Sequence, residues 1–148
     1  MLRKLTSTLS TWATVPLRLA LGIIFIAHGA QMVFGSFGGP GWTKWISLSQ
    51  LAPFPFMRPA WLWLGAAALS ELVGGVLVLL GLFTRVGAFL IASVMLTAML
   101  GVHWKNGFFL SPQAAGIEFT VALLGAALAL LVSGGGKASV DQMIGGRR

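Results

Sequence analysis

The sequence contains no cysteine and very little charge. Its 148 residues include three acidic side chains, and charged residues make up only 9% of the chain. The absence of cysteine excludes disulfides, thiolate catalysis and cysteine-ligated clusters. Apolar residues make up 57% of the chain, whereas soluble proteins are about half apolar. A water-soluble core has no room for this excess, so the composition indicates a protein of the lipid bilayer.

The sequence also lacks the common motifs for phosphate and metal. The segment GSFGGPGW (35–42) is rich in glycine, but no Gly-Lys-Ser/Thr follows it, which excludes a phosphate-binding loop. No helix carries an HExxH or ExxH pair, so we predict no metal site. No haem or nucleotide motif is present, so the chain shows no redox centre of its own.

The basic residues do not indicate a nucleic-acid partner. Ten lysines and arginines give a net charge of +7, which in a soluble protein would suggest binding to nucleic acid. Here these residues are scattered over predicted helix ends and loops and form no dense face. We therefore expect them to orient the chain in the membrane, and we expect no nucleic-acid partner.

Four apolar runs are long enough to cross about 30 Å of hydrocarbon. The runs cover residues 16–34, 60–83, 86–102 and 114–132. Small residues recur along them at helical spacing, as is typical of closely packed membrane helices. We predict an all-α protein, an integral membrane four-helix bundle that forms one domain over residues 1–148. A loop on the outer side (35–59) and a glycine-rich, partly ordered tail (133–148) complete the chain.

The distribution of lysine and arginine predicts the orientation. With an even number of spans, both termini lie on one side, together with Arg3, Lys4, Arg85, Lys137, Arg147 and Arg148. The other side has Lys44, Arg58 and Lys105. The positive-inside rule then makes both termini cytoplasmic. A cleaved signal peptide is the alternative for the first span, but Arg18 interrupts its apolar run.

Two of the three acids, Glu71 and Glu118, fall within the predicted spans, where a charged side chain costs on the order of 3 kcal/mol. His28 and Gln31 lie one turn apart on the first span, and His103 closes the third. Counting helical turns, we expect His28, Gln31, His103 and Glu118 to meet in the outer half of the bundle, with Glu71 below them. Such a pocket would bind a quinone headgroup or pass protons. The alternative is interhelical hydrogen bonding that only stabilises the bundle.

Two further expectations concern single side chains. Arg18 stands near the cytoplasmic end of the first span, and we expect it to extend to lipid phosphate. Glu118 shares a helical face with Ala122, Gly125 and Ala129. This stripe of small residues predicts that Glu118 faces a closely packed neighbouring helix.

Five segments together resemble the DoxX family of small bacterial membrane proteins. They are LRLALGIIFIAHGAQMVFGSFGGPG, SELVGGVLVLLGLFTRVGAFLIASVML, HWKNGFF, GIEF and GGGKASVD. The resemblance implies a four-helix protein of the bacterial inner membrane. The family takes its name from a subunit of thiosulfate:quinone oxidoreductase, and some members belong to membrane redox or oxidative-stress complexes. Met32 is a departure, because the family often has lysine there.

Carried over position by position, the family's recurrent residues are Arg18, His28, Gly29, Gln31, Glu71, Gly75, His103, Asn106, Gly107 and Glu118. The resemblance favours a quinone-associated subunit of a membrane oxidoreductase, with electrons supplied by a partner protein. His28 and Glu118 would contact the quinone, and Glu71 would relay charge inward. The alternatives are a small proton-coupled transporter or exporter, acting as a homo-oligomer, and a structural assembly subunit.

Overall fold

A computed structural model gives the fold, and it describes residues 6–145. The helices are α1 (Thr14–Phe34), α2 (Gly41–Ile46), α3 (Ala60–Leu80), α4 (Thr84–Thr97), α5 (Glu118–Ser133) and α6 (Val140–Gly145). α1, α3, α4 and α5 run up and down as a bundle. We call the end where α1 begins the terminal end and the opposite end the loop end. The predicted all-α membrane bundle is confirmed.

Length and surface place this bundle in a lipid bilayer. α1, α3 and the continuous helical segment Thr84–Asn106 are long and apolar enough to cross a membrane, while α5 is a shorter apolar helix of 16 residues. Large apolar side chains such as Ile23, Leu69 and Phe89 are exposed on the outer helix faces. Lipid is the solvent that accepts such faces.

The fourth helix begins later than predicted. The predicted span starts at residue 114, but α5 starts at Glu118. Ser111 and Ala114 form a turn instead: the Ser111 N–H donates to the Ala114 carbonyl at 3.0 Å, and the Ala114 N–H donates to the Ser111 hydroxyl at 3.1 Å. The third span extends beyond α4 through a π-helix (Ala98–His103) and a 3₁₀ turn (Trp104–Asn106).

Glycines bring α1 and α3 into direct backbone contact. A methyl group on Gly29 would stand 2.6 Å from the Cβ of Leu72, and one on Gly75 would stand 2.7 Å from the backbone nitrogen of Ile26. These distances are too short for any side chain. Membrane helices gain van der Waals contact by this close approach, because no hydrophobic effect drives them together.

The predicted packing face of α5 is wrong. Ala122, Gly125 and Ala129 are exposed, and nothing lies within 4 Å of where a Gly125 methyl group would be. α5 instead packs through a different face, on which Leu123, Ala127 and Leu130 join Phe25 and Ile91 in the core. Glu118 therefore does not face a closely packed helix along the small-residue stripe.

Arg18 turns inward rather than toward lipid phosphate. The side chain is 5% exposed and donates to carbonyl oxygens at 3.0 to 3.2 Å. Its acceptors are the carbonyls of Val78, Leu79, Gly135, Lys137 and Ala138. The expectation that Arg18 extends to lipid phosphate is wrong, because carbonyl oxygens of α3 and of the tail accept the hydrogen bonds of the guanidinium within the protein. We call Arg18, Gly135, Lys137, Ala138 and Asp141 the terminal cluster.

The described part of the tail packs against the bundle. Gly134, Gly135, Gly136, Ser139 and Asp141 are buried. The Asp141 carboxylate accepts the N–H groups of Phe83 at 2.7 Å and Thr84 at 2.8 Å. It therefore caps the N-terminus of α4, where the helix dipole favours negative charge.

Arg85 acts similarly at the end of α5, donating to the carbonyls of Leu131 at 2.6 Å and Val132 at 2.8 Å. Arg3, Lys4, Arg147 and Arg148, which enter the predicted orientation, lie outside the described residues.

Candidate functional site

A cavity of about 470 Å³ lies between α1, α3, α4 and α5 in the loop half of the bundle. Most of its wall is apolar or aromatic, including Phe25, Met32, Trp63 and Leu123. Trp45 of α2 closes the loop end of the cavity, where its indole N–H donates to the Leu64 carbonyl at 2.7 Å. Cavities of this size and character are typical of small-molecule sites.

Glu71 is the buried acid of this cavity. Its side chain is 4% exposed, and its Oε2 atom has no hydrogen-bond partner within residues 6–145. Buried polar atoms are rarely left without a partner, because the group loses its water and gains nothing in return. An unpartnered carboxyl oxygen on a cavity wall therefore indicates a place where a ligand atom would bind.

His28 lies within one helical turn of Glu71, and its side chain is exposed whereas Glu71 is buried. α1 and α3 are antiparallel and Gly29 packs on Leu72, so Glu71 lies two residues, roughly 3 Å, closer to the loop end than His28 does. Both line the cavity, and His28 makes no hydrogen bond to the described part of the chain. The expectation that Glu71 lies below His28, toward the terminal end, is therefore wrong.

His103 occupies the loop end of the cavity. Its Nδ1 lies 3.0 Å from the Ala115 carbonyl oxygen. Since a carbonyl oxygen only accepts, Nδ1 carries the proton, and in the neutral ring Nε2 is an acceptor. Asn106 donates to the same carbonyl at 2.9 Å. Both hydrogen bonds hold the connection between α4 and α5, and the bond from Nδ1 sets the tautomer of His103.

Gln31 and Glu118 lie outside the cavity wall. Glu118 Oε1 accepts the N–H of Leu110 at 2.7 Å, so this acid holds the loop before α5. The backbone of Gln31 packs on Gly39, where a methyl group would stand 2.6 Å from the Gln31 Cα. The structure thus brings His28, Glu71 and His103 to one cavity and places the other two predicted residues at helix connections.

Sequence reasoning missed the hydroxyl groups of the wall. Ser70, Ser93, Thr97 and Thr120 all line the cavity. Ser70 adjoins Glu71, and Ser93 and Thr97 are one helical turn apart on α4, so a search for hydroxyls at helical spacing could have found them. Met32 is also in the wall. Within residues 6–145, no three His, Asp or Glu side chains group together as a metal site.

Comparison with known proteins agrees with this architecture. The family model described as DoxX matches residues 13–104. The chain is 30% identical over 140 residues to a Bacillus subtilis (strain 168) protein named "Putative oxidoreductase CatD", with 88% of this chain and 86% of that protein covered. No solved structure matches the chain. The family match covers more than half of the chain and the relative nearly all of it, so this membrane protein belongs to the DoxX family.

Proposed function

We propose that this protein binds a quinone in the cavity and acts as the quinone-associated subunit of an oxidoreductase of the bacterial inner membrane. The observation that carries the proposal is the unpartnered Glu71 carboxyl oxygen in the wall of a 470 Å³, largely apolar cavity. A quinone combines an apolar ring with two polar oxygens. Such a cavity with a few polar groups fits that combination.

The roles of the residues follow from their contacts. Phe25, Trp63 and Leu123 would enclose the ring. The His28 ring and the Ser70 hydroxyl have no partner in the described chain, so both are free to donate to the quinone oxygens. Glu71 would exchange protons beside His28. A bound quinone supplies the redox chemistry, and a partner protein would supply the electrons. Glu118, predicted to contact the quinone, has no part in this proposal.

The basic residues support an orientation with both termini in the cytoplasm. Arg85 and Lys137 lie at the terminal end of the bundle, while Lys44, Arg58 and Lys105 are exposed at the loop end. Arg3, Lys4, Arg147 and Arg148, near the two chain termini, give the side on which the termini lie an excess of basic residues. This excess favours a cytoplasmic location for both termini. The positive-inside rule relies on this excess close to the spans.

Binding of a quinone can be followed through the tryptophans of the cavity. Trp45 and Trp63 line it, so a bound short-chain naphthoquinone should quench their fluorescence in the protein purified in nanodiscs. We expect His28→Ala to weaken binding about two- to tenfold, because a hydrogen bond contributes roughly 0.5–1.5 kcal/mol. Gln31→Ala, on the same helix but outside the cavity, should bind as the wild type does. Equal affinities for His28→Ala and the wild type would refute the role of His28.

The same unpartnered acid favours a second function, proton-coupled transport. In a carrier, Glu71 would bind a proton and a substrate in turn. Proteoliposomes distinguish the two functions, because a redox subunit moves no solute, whereas a carrier would show flux that Glu71→Gln abolishes.

A further inference from the structure

Most hydrogen-bond donors in the cavity wall are already used by the protein. The hydroxyl groups of Ser93, Thr97 and Thr120 donate to carbonyls of their own helical segments at 2.8, 2.9 and 2.8 Å. Each hydroxyl has a single proton, so these three side chains offer a ligand only oxygen lone pairs.

The ring N–H groups at the loop end are used as well. Trp45 donates its indole N–H to Leu64, and His103 donates its Nδ1–H to Ala115. An indole has no acceptor, while the neutral His103 ring still has a free lone pair on Nε2. The donors left in the wall are the Ser70 hydroxyl and one ring nitrogen of His28.

When Glu71 is ionised and accepts only, acceptors outnumber donors along the wall. The unpartnered Glu71 Oε2 lies toward the middle of the membrane, and His103 Nε2 lies at the loop end. The three used hydroxyls add further lone pairs between these two points. A ligand that carries only carbonyl oxygens can contact Ser70 and His28 but leaves the buried Glu71 Oε2 without a partner within residues 6–145. A buried polar group without a partner costs free energy.

We infer that the cavity selects the reduced, hydroxyl-bearing form of its ligand, a hydroquinone or similar phenol, over the corresponding quinone. The inference rests on the proposed quinone function and specifies the redox form that is bound. The two forms have nearly the same size and apolar surface. They differ in the two O–H donors that a hydroquinone presents and a quinone lacks, and those donors match the excess of acceptors in the wall.

Three compounds of one ring system test this inference: duroquinone, durohydroquinone and durohydroquinone dimethyl ether. Their dissociation constants are measured anaerobically by tryptophan quenching or calorimetry with the full chain in nanodiscs. We expect durohydroquinone to bind about tenfold more tightly than either other compound. The ether keeps the oxygens of the hydroquinone and loses its donors, so its weak binding separates donor recognition from general affinity for the ring.

Glu71→Gln provides the matched variant. The amide keeps one acceptor oxygen and adds an NH₂ donor that a quinone carbonyl can use. We expect the preference for durohydroquinone to fall about tenfold. Glu118→Gln makes the same change at an acid outside the cavity wall and should leave the preference unaltered. An unchanged preference in Glu71→Gln would count against the assigned role of Glu71.

The outcomes also separate this inference from the proposed function. If duroquinone binds as tightly as durohydroquinone, selection of the reduced form is refuted while quinone binding stands. If the naphthoquinone binds but none of these three compounds does, recognition of the hydroquinone hydroxyls is refuted while quinone binding stands. If neither the naphthoquinone nor any of the three binds, the proposed function itself is refuted.

Discussion

Replacing Arg18 should cost a large part of the stability of the fold. The Arg18→Ala variant removes a guanidinium that donates to the carbonyls of Val78, Leu79, Gly135, Lys137 and Ala138. Each hydrogen bond to a charged group contributes roughly 1.5–3 kcal/mol, and contributions within one cluster are not additive. Breaking a buried ionic network by removing one member typically costs about 3–5 kcal/mol. We therefore expect a loss of about that size in the free energy of unfolding.

The loss can be measured by titrating the purified protein in mixed micelles with sodium dodecyl sulfate and following tryptophan fluorescence. Arg58→Ala is the matched control. Arg58 is exposed at the loop end and makes no hydrogen bond within residues 6–145. A surface change of this kind usually alters stability by less than about 0.5 kcal/mol.

Arg18→Lys tests whether stability requires the planar guanidinium group or only its positive charge. An ammonium has three donors on one nitrogen and cannot span acceptors from two segments as a guanidinium does. We expect this variant to be intermediate between Arg18→Ala and the wild type. If Arg18→Ala loses less than about 1 kcal/mol, the terminal cluster does not stabilise the bundle as we argue.

Three further predictions concern the packing and the helix connections. Gly29→Ala should destabilise the protein by about 1–3 kcal/mol because its methyl group would overlap Leu72; Gly125→Ala, which meets open space, should be neutral or stabilising by up to about 1 kcal/mol in the same detergent titration. Asp141→Ala should cost about 1–2 kcal/mol in thermal unfolding by loss of the α4 cap. Asp141→Asn, which keeps an acceptor oxygen, should cost less, and equal losses would argue against capping. Glu118→Ala should free the Leu110 N–H and speed proteolysis within residues 107–117, and cleavage at the wild-type rate would contradict that role.

Hydropathy predicted the helices well because the bilayer imposes both their length and their composition. The prediction failed at α5, where apolar residues continue through a turn. The hydropathy of Ala114 and Ala115 predicted that they belong to a membrane span. In the structure they lie in a loop that is held by the turn at Ser111 and by the hydrogen bonds of Glu118, and the helix starts at Glu118. Hydropathy alone does not distinguish apolar loop residues from helical ones at a membrane surface.

The candidate site was predicted in part for a similar reason. The cost of burying ionisable groups drew attention to His28 and Glu71, and both line the cavity, although Glu71 is buried and His28 is exposed. Counting turns gives depth but not the facing direction, so Gln31 and Glu118 were assigned to the pocket although they serve the connections. The partners of Arg18 could not be predicted, because the carbonyls of Gly135 and Ala138 lie 117 and 120 residues further along the chain.

That long separation has a consequence for biosynthesis. Arg18 leaves the ribosome and meets the membrane well before the oxygens that later surround it have been translated. Before α3 has been made, water and lipid phosphate are the partners open to the guanidinium, and the carbonyls of Val78 and Leu79 then add two acceptors. The full set of five acceptors exists only after Ala138 has been translated, so the terminal cluster is among the last parts of the fold that can form.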